Sequence, residues 1–188
     1  AAYYKGRPKT IFEKCLIPYV LVMEDKVNSE NFLPASRSIA FRKKIWERVG
    51  GFPEQFSNNE DYVFARNLKK INAEFFFEKK AVVYWIPRKN LKEAFIMFFR
   101  FAYGDTESGI FRPKAFFLFA RYCLGIMFLT YSLINNSSLM LNTLYIMLFL
   151  YVFWSIAKNY RYVKNWKALI YLPLIQFVSD FGVILGII

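Results

Sequence analysis

Glu60 and Asp61 stand side by side in FSNNEDYVFARNLKK (56–70), within a chain that carries 26 Lys and Arg against 14 Asp and Glu. A carboxylate at such a position does one of two jobs. It accepts a proton from an attacking group as a general base, or it sits in the first turn of a helix, where the macrodipole favours an acid by ~0.3–1 kcal/mol. The order predicts a helix: Asn58 or Asn59 as cap, the two acids in the first turn, Lys69 and Lys70 in the last. Val63, Phe64 and Leu68 supply its apolar stripe, with Tyr62 and Ala65 at the edges. On spacing alone, satisfying a helix end explains the pair. Other chemistries fall away by residue type. The chain has no histidine, which removes His-based triads and ordinary zinc sites. Cys15 and Cys123 are two and far apart, so neither a disulfide framework nor a metal cluster follows.

The elements around the acidic pair read as mixed α/β. SRSIAF (36–41) alternates and predicts a strand. A short helix over 43–49 follows, ended by Gly50-Gly51, which reach the left-handed conformation of a C-terminal cap. Beyond the acidic helix, Asn72 reads as a cap and two short strands are expected, at 73–77 and 81–85. Tyr84 and Trp85 read as packing residues. The segment CLIPYVLVM (15–23) fits a strand or a short buried helix. LKEAFIMFFRFAY (91–103) is amphipathic and aromatic-rich, the pattern of a helix lying in a membrane interface. The stretch 101–113 reads as a charged loop at the membrane surface, a connector or a gate.

Charge then leaves the sequence. Of the 26 cations 21 lie before residue 115, as do 13 of the 14 acids. The remainder holds three apolar runs, 115–134, 139–157 and 168–188, each long enough to cross a ~30 Å hydrocarbon core as a helix. The loop at 135–138 is uncharged, whereas 158–167 carries four cations and no acid. Positive loops stay in the cytoplasm, so the segment before the first span and the loop 158–167 are expected on that side. Asp180 and Gln176 fall inside the third run, with a lipid-substrate, helix-pairing or purely structural role open to them. Arg121 reads as snorkelling to head groups and Gly125 as a close-packing residue. The +12 charge follows membrane flanks and shows no nucleic-acid motif, so no nucleic-acid partner is expected. No signal peptide is apparent, and the start without methionine suggests an excised or truncated piece.

VGGFPE (49–54), NED (59–61) and the helical context between 36 and 104 together resemble the second half of the catalytic domain of family 2 glycosyltransferases, inverting enzymes of the GT-A type. That resemblance implies a partial nucleotide-diphospho-sugar transferase domain over 1–90, an interfacial amphipathic helix and loop over 91–114, and a membrane domain of about three helices over 115–188. It implies Asp61 as the general base that deprotonates an acceptor hydroxyl during in-line displacement at the anomeric carbon, with Glu60 shaping the site. MFFRFAYGD (97–105) is similar to the family's Gln-x-x-Arg-Trp helix. By that match Arg100 would stabilise charge on the departing diphosphate, Phe101 would offer a ring to the acceptor, and Gly104 would stand for the glycine that follows. Met97 replaces the glutamine and Phe101 the tryptophan, which points away from processive synthesis and toward single-sugar transfer.

The implied partners are a nucleotide-sugar donor, a lipid-linked or envelope saccharide acceptor and membrane lipids, in a multi-pass protein of the cell membrane with its catalytic part cytoplasmic. The family also binds a divalent cation, Mg or Mn, through an Asp-x-Asp of its donor-binding half. No Asp-x-Asp occurs here. The expectation is therefore a piece that is inactive alone and works within a longer enzyme. The rival expectation is a membrane-anchored scaffold or accessory protein with no catalytic role.

Overall fold

The computed structural model describes residues 2–188. The chain is mostly helical, with one small sheet. Strand β1 (Ala2–Gly6) leads into α1 (Ile11–Val20); α2 (Lys43–Arg48) and α3 (Glu60–Lys70) follow, then β2 (Glu78–Trp85). Helix α4 (Leu91–Glu107) precedes three long apolar helices, α5 (Pro113–Ile134), α6 (Ser138–Val163) and α7 (Ala168–Ile187). All three are long and apolar enough to span a membrane. They match the three runs read from hydropathy, although α6 continues six residues further, into the basic segment.

The sheet is a two-stranded parallel pair, with Tyr3 opposite Val82 and Gly6 opposite Trp85. The expected strand at 36–41 does not form. Ser36–Ser38 is a 3₁₀ turn instead, and the chain after it is irregular. Short polar side chains explain this by offering the backbone local partners: the Ser38 hydroxyl donates to the Ala35 carbonyl, and the Ser36 amide donates to Asp61. The strand expected at 73–77 is likewise absent. Phe75 and Phe77 there pack edge-on against Phe32, so ring contacts hold that stretch in place of a ladder. The segment 15–23 resolves to α1, whose Thr10 cap accepts from the Glu13 amide at 3.1 Å. Asn72 acts at the end of α3, in the left-handed region at φ 54°. The Ala73 amide then reaches the Leu68 carbonyl at 3.0 Å, closing the helix in Schellman fashion.

The main core gathers α1, α4 and the α6–α7 junction. Phe12, Cys15 and Leu16 meet Ala94, Met97 and Phe98, with Val163, Ala168, Leu172 and Ile175 on the far side. Trp85 packs at its edge, whereas Tyr84 is exposed. A second cluster holds α3: the Phe64 ring lies 4.3 Å from Phe52 and 5.2 Å from Phe41 between ring centroids.

Helix α4 is laid along α7 with backbones in contact. A Cβ on Gly186 would lie 2.4 Å from the Phe99 carbonyl oxygen and 2.9 Å from the Ala102 Cβ. One on Gly182 would lie 3.0 Å from the Phe98 Cβ. Small residues four apart let two helices approach this closely. Gly125, read as the packing glycine, has nothing within 4 Å of such a Cβ and faces open space. The expected loop from 101 is also corrected, since α4 runs on through Glu107.

Asp180 fastens the spans. Arg121 of α5 donates to its Oδ2 at 2.9 Å, Tyr122 does so at 2.9 Å and Tyr151 of α6 also donates there, while Gln176 donates to Oδ1 at 3.0 Å. Arg121 therefore does not simply snorkel. Its guanidinium forms an ion pair inside the span and stacks 4.2 Å from the Tyr151 ring centroid. A buried carboxylate in hydrocarbon needs such partners, and among the readings left open for Asp180 the contacts are those of helix pairing.

Candidate functional site

The acidic helix start is held by three residues that precede it. Asn59 stands at the N-terminal cap of α3 in the left-handed region (φ 65°), and its side chain makes no cap bond. Its Nδ2 instead donates to Asp105 Oδ1 on α4 at 2.7 Å. Ser57 donates twice to Glu107, from its amide at 2.8 Å and its hydroxyl at 3.0 Å. Between them Asn58 lies on Gly104, where a Cβ would come within 2.7 Å of the Asn58 Cβ and 3.2 Å of its carbonyl carbon. A side chain at 104 would push the loop away, which gives this glycine a packing reason to be there.

Asp105 is itself clamped. Arg112 donates to both its oxygens, from Nε to Oδ2 and from Nη2 to Oδ1 at 2.8 Å. The same guanidinium lies 5.2 Å from the ring centroid of Tyr62, in the first turn of α3. Hydrogen bonding to Asp105 holds the Arg112 guanidinium above its ordinary value, so the charge is permanent. Serine, asparagine and arginine thus fix the start of α3 to the C-terminal end of α4, just before the first span.

Asp61 is half-buried and accepts from Ser36, from the amide at 3.2 Å and the hydroxyl at 3.3 Å. Glu60 is half-buried beside it, and no hydrogen bond or ion pair involves it among the described residues. Arg100 and Phe101 are exposed on α4. They line an open hollow of about 290 Å³ with Asn58, Arg88, Glu93, Ile96 and Met97. Asp61 is not part of that lining; Asn58 is what links the hollow to the acidic turn. The volume is at the small end for ligand sites. Two guanidinium side chains and one carboxylate give it a cationic excess, suited to an anion.

No protein-family model, curated protein or solved structure matches the chain.

A divalent cation does not fit the residues present. No group of three carboxylate or thiol side chains lies together among the described residues. Three of the acids are each committed to a guanidinium: Asp105 to Arg112, Asp180 to Arg121 and Asp25 to Arg161. No step is therefore routed through a metal held by this chain.

The sequence pointed to Asp61, Glu60, Arg100, Phe101 and Gly104, and to Asn58 only as a helix cap, but not to Ser57, Asp105, Glu107 and Arg112, which tie the elements together. One signal was available. Asn-x-x-Glu at 90–93 marks the start of α4, and it forms: the Glu93 amide donates to Asn90 at 2.9 Å and Glu93 accepts from the Lys89 amide at 3.0 Å. The Asn59–Asp105 bond joins residues 46 apart and has no local signature.

Proposed function

We propose that this chain is the acceptor-side portion of a membrane-bound inverting glycosyltransferase, with Asp61 as the general base and Arg100 facing the leaving diphosphate. Its donor-binding half, with the metal-holding acids, would belong to polypeptide outside these 188 residues. The observation that carries the reading is the seating of the acidic helix start on α4 at Gly104. The Asn-Glu-Asp turn and the Arg-Phe-x-x-Gly helix are the two motif segments of the resemblance, and they touch through Asn58. A base on the acceptor and a guanidinium on the leaving group must serve one transition state, and the Asn58 contact joins the turn that carries Asp61 to the helix that carries Arg100.

In this reading the acceptor hydroxyl attacks the anomeric carbon as Asp61 takes its proton, while the sugar–diphosphate bond breaks on the opposite face. Ser36 supplies two donors to the Asp61 carboxylate, which aim it. Arg100 meets the negative charge that builds on the departing diphosphate, and Phe101 gives an apolar face to the acceptor. An acceptor anchored in lipid fits the position of α4, laid along a candidate span.

Asp61→Asn in the full-length protein is the test. Removing a positioned base costs roughly 10²–10⁴-fold in rate; transfer should fall by that much while insertion and thermal stability persist. Unchanged transfer would leave the scaffold reading standing in its place.

A further inference from the structure

Four cations converge where the spans begin and end, away from the hollow on α4. Lys158 lies in the last turns of α6, its ammonium 4.6 Å from the Trp154 ring centroid and 5.3 Å from that of Tyr19. Lys26, in the turn after α1, holds its ammonium 5.8 Å from the ring centroid of Tyr162, one turn further along α6; Lys114 lies in the first turn of α5, which packs against α6, and Arg121 stacks on Tyr151 two turns before Lys158. Three carboxylates lie nearby: Asp180, which four other side chains already hold, Asp25, which is paired with Arg161, and Glu24, in the same turn as Lys26. Among the described residues no ion pair involves Lys26, Lys114 or Lys158, and all three are exposed. Three ammonium groups without an ion pair of their own repel one another, and an anion placed among them is stabilised by each.

The surroundings choose the anion. Trp154 and Tyr19 beside Lys158 are the amphipathic rings that favour the head-group layer. Below the cations, α5 and α6 present exposed apolar side chains, among them Phe117, Leu124, Leu150 and Phe153. A phosphate at Lys158 attached to acyl chains would satisfy both levels, whereas a free phosphate would satisfy only the upper one.

We propose that Lys158, Lys114 and Lys26, with Arg121 behind them, form a binding site for the phosphate head group of an anionic membrane lipid between α5, α6 and the turn after α1. The site does not depend on the sugar-transfer reading. It joins the extramembrane helices to the spans through a lipid, a role for basic pockets at the cytoplasmic ends of helices.

The test uses the intact chain in phosphatidylcholine nanodiscs, with and without phosphatidic acid, read by native mass spectrometry of retained lipid and by thermal unfolding. The wild type should retain phosphatidic acid and unfold at a higher temperature with it. Lys114→Gln/Lys158→Gln should lose retention roughly tenfold or more. Lys164→Gln/Lys167→Gln, with the same loss of charge on the neighbouring loop, should retain it. Lys26→Gln, in the extramembrane turn, provides a second variant should the double variant fail to insert, and it too should weaken retention. Equal losses at both pairs of positions would mean diffuse attraction and overturn the site. Equal stabilisation by inorganic phosphate in phosphatidylcholine discs would overturn the lipid assignment.

Discussion

At the scale of single residues, small side chains at contact points and acids with fixed partners hold the elements together. Gly104 is the sharpest case. Gly104→Ala places a methyl 2.7 Å from the Asn58 Cβ and tight against its backbone, so the loop must move. The expected cost is ~1–3 kcal/mol, read as a lower unfolding temperature, with loss of any transfer activity beyond what instability explains. Cys15 gives a prediction in pH. It is buried in the main core, and burial pushes its thiol up to about 11 from an ordinary 9.0. The neutral thiol is the form that the fold favours. Its contribution is whole below pH 9.0 and lost as the pH rises toward about 11. Stability should decline across that window, and Cys15→Ala should flatten the decline. If both proteins show the same slope, the thiol is not the group responsible.

At the scale of elements, helix existence was legible and helix contacts were not. The three spans follow from the length and apolarity of their runs. The acidic helix follows from its end charges and α4 from its amphipathic pattern, whereas 15–23 fits either a strand or a helix and is in part α1. The strand expected at 36–41 failed because alternation is a weak signal over six residues, and serine bonding to the backbone and to Asp61 overrode it. Gly125 read as the packing glycine, whereas Gly182 and Gly186 make the close approach, because composition cannot say which helix faces another. The Arg121–Asp180 pair joins positions 59 apart, out of reach of local reasoning. That pair yields an element-scale prediction. Asp180→Leu leaves Arg121, Tyr122 and Tyr151 without their shared acceptor, and interhelical polar contacts of this kind are worth up to ~1–2 kcal/mol each. The single variant should be less stable in detergent than Arg121→Leu/Asp180→Leu, which removes the stranded cation too. A double variant no better than the single would show that the ion pair is not what holds α5 to α7.

At the scale of the whole molecule, the chain divides its labour by depth. Helices α5 and α6 are largely exposed, as lipid-facing helices are, while α7 is the more buried and is the post on which α4 and α1 pack. Through α4 the membrane helices reach the acidic turn. Charge asymmetry sets the expected orientation: a cysteine at Ser137 should react with an impermeant maleimide added outside, and one at Lys167 should not, in a Cys15→Ala/Cys123→Ala background. The reverse labelling would put α4 and the acidic turn on the outer face, away from a cytoplasmic nucleotide sugar.

The most direct test is the turnover of the full-length membrane-embedded protein with Asp61→Asn, Arg100→Gln and the two together. Groups that serve one transition state are strongly non-additive. Each single change should therefore lower kcat by roughly a hundredfold or more, and the double should fall little further. Turnover that withstands Asp61→Asn, or losses that simply multiply, would contradict a shared site on α4.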